Sequence, residues 1–465
     1  MFSGCVIRVI IIGTFQSRGC MAGWKFFSVR GFFMRRLWVM SATVIAAVMA
    51  ACGESAEPTP PPVPPTYHRD IAPLVQEKCG GCHIEGGIAP QPLQTYDQVF
   101  MMRKAIQAAV KQRIMPPWMP AQNCSEYDHD RSLSDEQIKL ISDWTDQGGT
   151  EGNPADAAAV KPPTAQGLPR VDLELAMPTE YSPDQSPDDY RCFLLDWPET
   201  EMSFVTGFHG NPGRPSLVHH IIAFLISPEE AAAYEALDAT DPKPGYPCFG
   251  GPGGGRQSQA GWLGVSGPGS MPTVLPQGTG IPVRPGSKIA LQIHYSLSSA
   301  VAVPDRTSIS LTLERSVQKI AIMQPWLNPA WLNDGGMLIP AGQKNVRHAF
   351  SFDVVPVLSQ WTYGAFRDNM PVTLYSSGLH MHTRGTSAKL QIERQTGATE
   401  CMLNIPRWDF HWQSIYNLAE PKVVKPGDRI SLECTFDNSE PNAKDLGWGE
   451  GTNDEMCFGT FLMTQ

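Results

Sequence analysis

Leu217-Val218-His219-His220-Ile221-Ile222-Ala223-Phe224 is an apolar run of strand length that carries two imidazoles into its middle. Buried imidazoles need partners. Neighbouring residues of a strand point to opposite faces, so His219 and His220 reach one ion only if the strand bends or bulges between them. Further along, Leu291-Gln292-Ile293-His294-Tyr295 repeats the pattern with a third imidazole in an otherwise apolar strand. A lone core histidine is more often hydrogen-bonded than metallated. A pair plus a third on similar strands shifts that balance towards a metal.

Strand patterns continue on both sides of this run. From residue 171 onward they fall at 203–208, 218–226, 288–295, 307–313, 371–379, 388–393 and 430–436, with one short helix expected over 228–237. The turns Arg284-Pro-Gly, Ile339-Pro-Ala-Gly342 and Lys425-Pro-Gly-Asp428 punctuate them. Glycine and proline, 42 of each, make up about 18% of the chain, against a usual ~12%, which favours β-sandwiches over helical bundles. Two sandwiches in tandem is the simplest packing.

His380-Met381-His382 puts two imidazoles on one side of a strand, because residues two apart share a face. Met456 offers a thioether. Imidazole alone suits several metals, whereas an added thioether selects the softer cuprous ion and disfavours hydrolytic zinc. Trp408, Phe410, His411, Trp412 and Tyr416 can line an aromatic pocket, although such a run more often belongs to a core.

The 465 residues are too many for one typical domain. A net charge of −10 without a long basic run sets nucleic acid aside. Arg35 and Arg36, fifteen mostly apolar residues over 37–51 and then Cys52 resemble a bacterial lipoprotein signal. This predicts an exported protein, tethered by lipid in the periplasm or outer membrane, with residues 1–33 as an over-extended start. A proline-rich stalk follows to residue 65. In an oxidising compartment Cys124, Cys192, Cys248, Cys401, Cys434 and Cys457 can form disulfides, and six cysteines allow 15 pairings.

Cys79-Gly-Gly-Cys82-His83 is a C-x-x-C-H sequence, the attachment site of a covalent haem c, with His83 as the axial imidazole. A zinc site would need two more ligands, and nothing nearby supplies a second pair. Helices are expected at 71–78, 96–114 and 134–144, the last capped by Ser132 or Ser134. That is the layout of a small class I type cytochrome c. Met115, in Ile-Met115-Pro116-Pro117-Trp118, is the expected second axial ligand, a role that favours electron transfer over oxygen binding.

The ordered set from residue 189 to the C-terminus comprises His219-His220, His294-Tyr295, His380-Met381-His382 and Gly451-Thr-Asn-Asp-Glu-Met456-Cys457. Together they resemble copper type II, ascorbate-dependent monooxygenases, the family of peptidylglycine α-hydroxylating monooxygenase and dopamine β-hydroxylase. The resemblance implies two jelly-roll-like β-sandwiches and two copper ions. One copper, held by His219, His220 and His294, would only pass electrons. The other, held by His380, His382 and Met456, would use O2 to hydroxylate a substrate C–H bond, one oxygen atom leaving as water. It also implies the disulfides Cys192–Cys248 and Cys434–Cys457, with Cys124 and Cys401 unassigned. The amidating branch has an Arg and a Tyr where this chain has Gly378 and Thr460, so peptide amidation is not expected and the small-molecule substrate is open.

The expected division is 1–52 start and signal, 53–65 linker, 66–150 cytochrome c domain, 151–170 linker, and copper monooxygenase domains at 171–325 and 326–465. Electrons would come through the haem, from ascorbate, or from a periplasmic donor. The rival reading is a non-catalytic electron-transfer or copper-binding lipoprotein. A hydrolase finds no compelling nucleophile and base.

Overall fold

The histidine-bearing run forms the strand Val218–Ile226, hydrogen-bonded antiparallel between Gly261–Ser266 and Lys288–Ser296. It belongs to a computed structural model that describes residues 63–465 apart from 88, 159–166, 187, 249–250, 254–259, 268–269, 298–300, 334, 363 and 450–453. The expected signal segment with Arg35, Arg36 and Cys52, and most of the expected stalk, lie outside the described residues. Residues 64–465 make one compact unit.

Strand Asp188–Asp196 pairs with the far edge of Lys288–Ser296. Ser203–Asn211 lies between Ser308–Glu314 and Thr279–Val283. Val205, Phe208, Ile221, Leu291, Ile293 and Ile309 close a first β core, as alternating inward-facing residues do in sandwiches. A second core gathers Trp326, Phe350, Leu379, Leu390, Leu432 and Phe461. Its outer layer is the four-stranded sheet of Gln343–Asp353, Arg429–Asn438, Gly385–Glu393 and Thr399–Ile405. The chain is mainly β, as expected.

The two β regions are not separate sheets joined by a linker. Lys319–Trp326 pairs along its length with the C-terminal strand Phe458–Thr464, touches Gly261–Ser266 at Met323↔Trp262, and runs parallel to Thr279–Val283. Hydrogen bonding therefore continues across the expected boundary at residues 325 and 326. The strand satisfies its backbone groups from both halves instead of leaving an edge open.

The N-terminal part of the unit is helical. Ala72–Lys78, Tyr96–Lys111 and Asp135–Asp146 pack around Tyr67, Leu74, Val99, Val110, Ile141 and Trp144. Thr95 with Gln98, and Ser134 with Gln137, make reciprocal capping boxes, so Ser134 and not Ser132 starts the last helix. The middle helix stops three residues short of the expected end because Arg113 turns to φ 52°. That left-handed step ends the helix and directs the chain towards Met115.

From there residues 115–130 lie along the C-terminal β region. Ala121 N–H donates to Asn404 O at 2.8 Å, Asp128 N–H to Asn417 O at 2.9 Å, and Tyr127 hydroxyl to Met402 O at 2.8 Å. Trp118 packs edge-on to Tyr416, ring centroids 5.1 Å apart. A disulfide joins Cys124 to Cys401, the two cysteines that sequence left unassigned, and Cys192–Cys248 and Cys434–Cys457 form as the resemblance implied. Three disulfides fit an oxidising compartment. No helix among the described residues is long and apolar enough to cross a membrane.

Candidate metal centres

The strand bulge that sequence required is present. Val218 pairs with Tyr295 and His220 pairs with His294, so His219 is an extra residue in its strand at that point. The bulge turns both rings to one side, and one ring nitrogen from each of His219, His220 and His294 lies within 4.8 Å of the others. His219 Nδ1 is 3.1 Å and His220 Nδ1 3.3 Å from His294 Nδ1.

The partners of the opposite nitrogens decide what these contacts are. His294 Nε2–H donates to the Asp188 carboxylate at 2.8 Å, and His219 Nε2–H donates to the carbonyl of His411. Each neutral ring then carries its lone pair on Nδ1. His219 and His294 therefore face lone pair to lone pair, an arrangement that repels when empty and that a cation between them converts to attraction. Burial holds His220 and His294 well below the ordinary imidazole range and lowers His219 as well. All three are neutral at pH 7, the state in which imidazole ligates.

The second cluster is built differently. The strand Val372–His380 ends at His380, so strand alternation does not orient His382, contrary to the expectation for this pair. His382 is fully buried in the connection beyond it and is fixed by three contacts. Its N–H donates to Glu455 at 2.9 Å, its Nδ1–H to the Asp454 carbonyl at 3.0 Å, and its carbonyl accepts Trp408 Nε1–H at 3.1 Å. His380 Nδ1–H donates to the Gln413 side-chain oxygen. Both rings thus carry their lone pairs on Nε2, with ring centroids 5.1 Å apart at 88°. Burial, with His382 beside it, pushes His380 down to about 3. Met456 is buried between Glu455 and Cys457 in sequence, and Cys457 is tethered to Cys434.

Around the C-x-x-C-H sequence, Cys79 and Cys82 remain thiols and are not bridged to each other. Burial, with Cys82 adjacent, pushes the Cys79 thiol up to about 12. His83 Nδ1–H donates to Gln91 O at 2.7 Å, which puts the lone pair on Nε2 and holds the ring, as carbonyls do behind ligating histidines. All three residues and Met115 line a cavity of about 960 Å³. One wall is apolar, with Leu93 ahead of the helix Tyr96–Lys111 and Met102, Ile106 and Val110 on it. The other comes from the β regions, including Met323, Trp412 and Tyr416. Cysteines, imidazole, thioether and an apolar chamber of that size fit a covalent haem.

Sequence reading missed Asp188, Glu455 and Gln413, the groups that orient the imidazoles. Asp188 stands beside the Asp189 at which the family resemblance begins, and Glu455 lies within the quoted terminal motif, so position was the available signal. The aromatic run divides: Trp408 and Tyr416 are buried, while Phe410 and Trp412 are half-buried. His411 is exposed, yet its carbonyl holds His219.

Comparison with known proteins bears on the same residues. Residues 359–463, which include His380, His382 and Met456, match the family copper type II ascorbate-dependent monooxygenase, C-terminal domain. MOXD1 homolog 1 of Drosophila melanogaster is 24% identical over 201 residues, 42% of this chain and 27% of that protein. Dopamine beta-hydroxylase of Canis lupus familiaris is 29% identical over 86 residues, 18% of this chain and 14% of that one. DBH-like monooxygenase protein 2 of Mus musculus is 30% identical over 84 residues, 18% and 13% of the two chains. The matches thus span 27% or less of the length of these relatives. Among solved structures, the major capsid protein P2 of bacteriophage PM2 aligns over 63% of this chain and 96% of that one, at 8% identity and a TM-score of 0.23, a likeness too slight to bear on the fold. Over residues 359–463 the chain is thus similar to the C-terminal domain of copper type II ascorbate-dependent monooxygenases, a stretch that holds one of the two imidazole clusters.

Proposed function

We propose that the chain is an exported, lipid-tethered monooxygenase that uses two copper ions and O2 to hydroxylate a C–H bond of a small substrate. Its two copper regions divide near residues 325 and 326, with the strand Lys319–Trp326 shared between them. The observation that carries this reading is the pair of imidazole clusters, with the lone pairs of His219 and His294 fixed on Nδ1 and those of His380 and His382 on Nε2. His219, His220 and His294 would hold the electron-transfer copper, and His380, His382 and Met456 the copper at which oxygen is used. When bound, copper supplies one-electron redox chemistry and oxygen activation. The protein supplies neutral, oriented ligands and a buried thioether suited to the cuprous state.

The reading includes a covalent haem c on Cys79 and Cys82 with His83 and Met115 as axial ligands, forming a cytochrome c domain over residues 66–150. The shared cavity of about 960 Å³ supports it. In this arrangement the haem supplements or replaces ascorbate as the electron source for copper.

The test is metal analysis combined with isotope tracing. The purified chain should bind two coppers and one haem, and His294→Ala or His382→Ala should each remove one copper. With ascorbate and candidate substrate extracts, label from ¹⁸O2 should enter a product, and Met456→Ala should abolish that incorporation while leaving the haem attached. His83→Ala should change the haem spectrum and leave copper loading intact. Two coppers with electron transfer but no label in any product would establish the non-catalytic carrier instead.

A further inference from the structure

The stretch Trp408–Asp409–Phe410–His411–Trp412–Gln413 touches all three candidate centres. Trp408 Nε1–H holds the His382 carbonyl, and the Phe410 ring lies 6.2 Å from the His382 ring, nearly perpendicular to it. The His411 carbonyl accepts from His219, and the Gln413 side-chain oxygen accepts from His380. Trp412 and Gln413 also form part of the cavity wall opposite Cys79, Cys82 and His83. Internal contacts keep the stretch rigid. Gln413 Nε2–H donates to Phe410 O at 2.9 Å, and His411 N–H donates to the Asp409 carboxylate at 3.0 Å.

The geometry points to residues 408–413 as a branched electron conduit that serves each copper site separately from the haem cavity. This deepens the haem-donor reading and rests on it. Electron tunnelling weakens steeply with distance and passes more readily through bonds and hydrogen bonds than across gaps. From the cavity wall, one hydrogen bond from Gln413 reaches His380. The peptide link from Trp412 to His411 and one further hydrogen bond reach His219. Neither branch requires an electron to cross from one copper site to the other. Each transfer oxidises ferrous haem to ferric and reduces one Cu(II) to Cu(I), with no bond made or broken. Two coppers need two passes, so a one-electron donor of the ascorbate class, or an exported electron carrier, must re-reduce the haem between them.

The experiment uses the full, haem- and copper-loaded chain without oxygen. A flash-generated flavin semiquinone delivers less than one electron per molecule. Haem absorbance is followed in time, and freeze-quenched EPR distinguishes the two Cu(II) signals. Gln413→Leu should slow the phase that feeds the His380–His382 copper by about 10–100-fold, the range typical of losing an outer-shell partner. It should leave the three-histidine phase unchanged, and ascorbate reduction of the His380–His382 copper, whose ligand Gln413 orients, should slow by less than the haem-fed phase. Gln413→Glu, which keeps an acceptor oxygen for His380, should restore most of the rate. Equal rates in the original chain and Gln413→Leu, or equal slowing of ascorbate reduction, would overturn the conduit. Absence of covalent haem, or flash-reduced haem that stays reduced beside Cu(II) in the unsubstituted chain, would instead remove the haem-donor reading and the conduit with it.

Discussion

Glu455 accepts the backbone N–H of His382 at 2.9 Å with one carboxylate oxygen, and the same oxygen takes the N–H of Met456 at 3.2 Å. The other oxygen takes the N–H of Arg384. A single fully buried carboxylate thus binds together the two segments that carry His382 and Met456. Burial pushes its carboxyl up to about 7 in spite of these donors. Glu455→Ala leaves two buried N–H groups, those of His382 and Met456, and the part-buried N–H of Arg384 without this acceptor, each buried one costing about 1–3 kcal/mol. We expect it to lower copper affinity at His380, His382 and Met456 by about 10–100-fold, with the three-histidine site unaffected. Titration against a competing chelator, with the two coppers separated by EPR, checks it.

Asp188 plays the corresponding part in the other cluster. Its carboxylate takes the Nε2 proton of His294 and so fixes the lone pair on Nδ1. Asp188→Asn allows the side-chain amide to offer a proton instead, which favours the opposite tautomer and turns an N–H towards the ion. Copper affinity at His219, His220 and His294 should fall by about 10–100-fold while the His380 cluster keeps its own. A chelator titration in which both sites weaken equally would count against this role.

How much of this was legible beforehand depends on which interaction fixed each residue. The Val218–Ile226 strand was readable from its apolar run, and the bulge at His219 followed from asking how adjacent strand residues could share an ion. Ala72–Lys78 and Asp135–Asp146 were close to expectation because their periodicity and caps are local signals. Arg113 ended the intervening helix early through a left-handed residue that propensity does not mark. The division expected at residues 325 and 326 falls inside the strand Lys319–Trp326, which was not read as a strand and whose partners lie far apart in sequence, in Thr279–Val283 and Phe458–Thr464. The same reason hid Gln413, Glu455 and the Cys124–Cys401 pairing. Each is a long-range contact with no local pattern.

Asp428 gives a pH-dependent prediction. It is 4% exposed and accepts from Arg394 at 2.9 Å, Lys425 N–H at 3.1 Å and Gln395 N–H at 3.2 Å. Although burial alone would raise its carboxyl, these donors bring it below the usual aspartate value of 3.8. A depressed carboxyl stabilises the fold fully above the unfolded value and loses that stabilisation as pH falls through the folded one. Asp428→Asn should therefore cost about 1.5–3 kcal/mol at pH 7, and the gap from the original chain should narrow once pH drops below ~3.8. Urea unfolding at several pH values between neutral and acid measures it. A gap that widened in acid would contradict the assignment.

Cys124–Cys401 bears on whether the helical module stays docked. The two cysteines are 277 residues apart, and the disulfide reinforces backbone hydrogen bonds from Ala121, Asp128 and Ala419 across the same seam. Replacing both by serine removes the covalent tie and leaves those hydrogen bonds, together with Trp118 against Tyr416. Loss of a native disulfide commonly costs about 2–5 kcal/mol, and here the loss should fall on docking, since the helices keep a core of their own while Tyr127, Trp118 and Met119 are what the 115–130 stretch adds to the β core. In mild urea, residues 115–130 should become open to protease in the double Cys124→Ser, Cys401→Ser variant while the original chain resists. The β regions should remain folded and keep both coppers. Simultaneous loss of copper and module would mean that the seam also supports the β core, and that the two could not be separated as proposed.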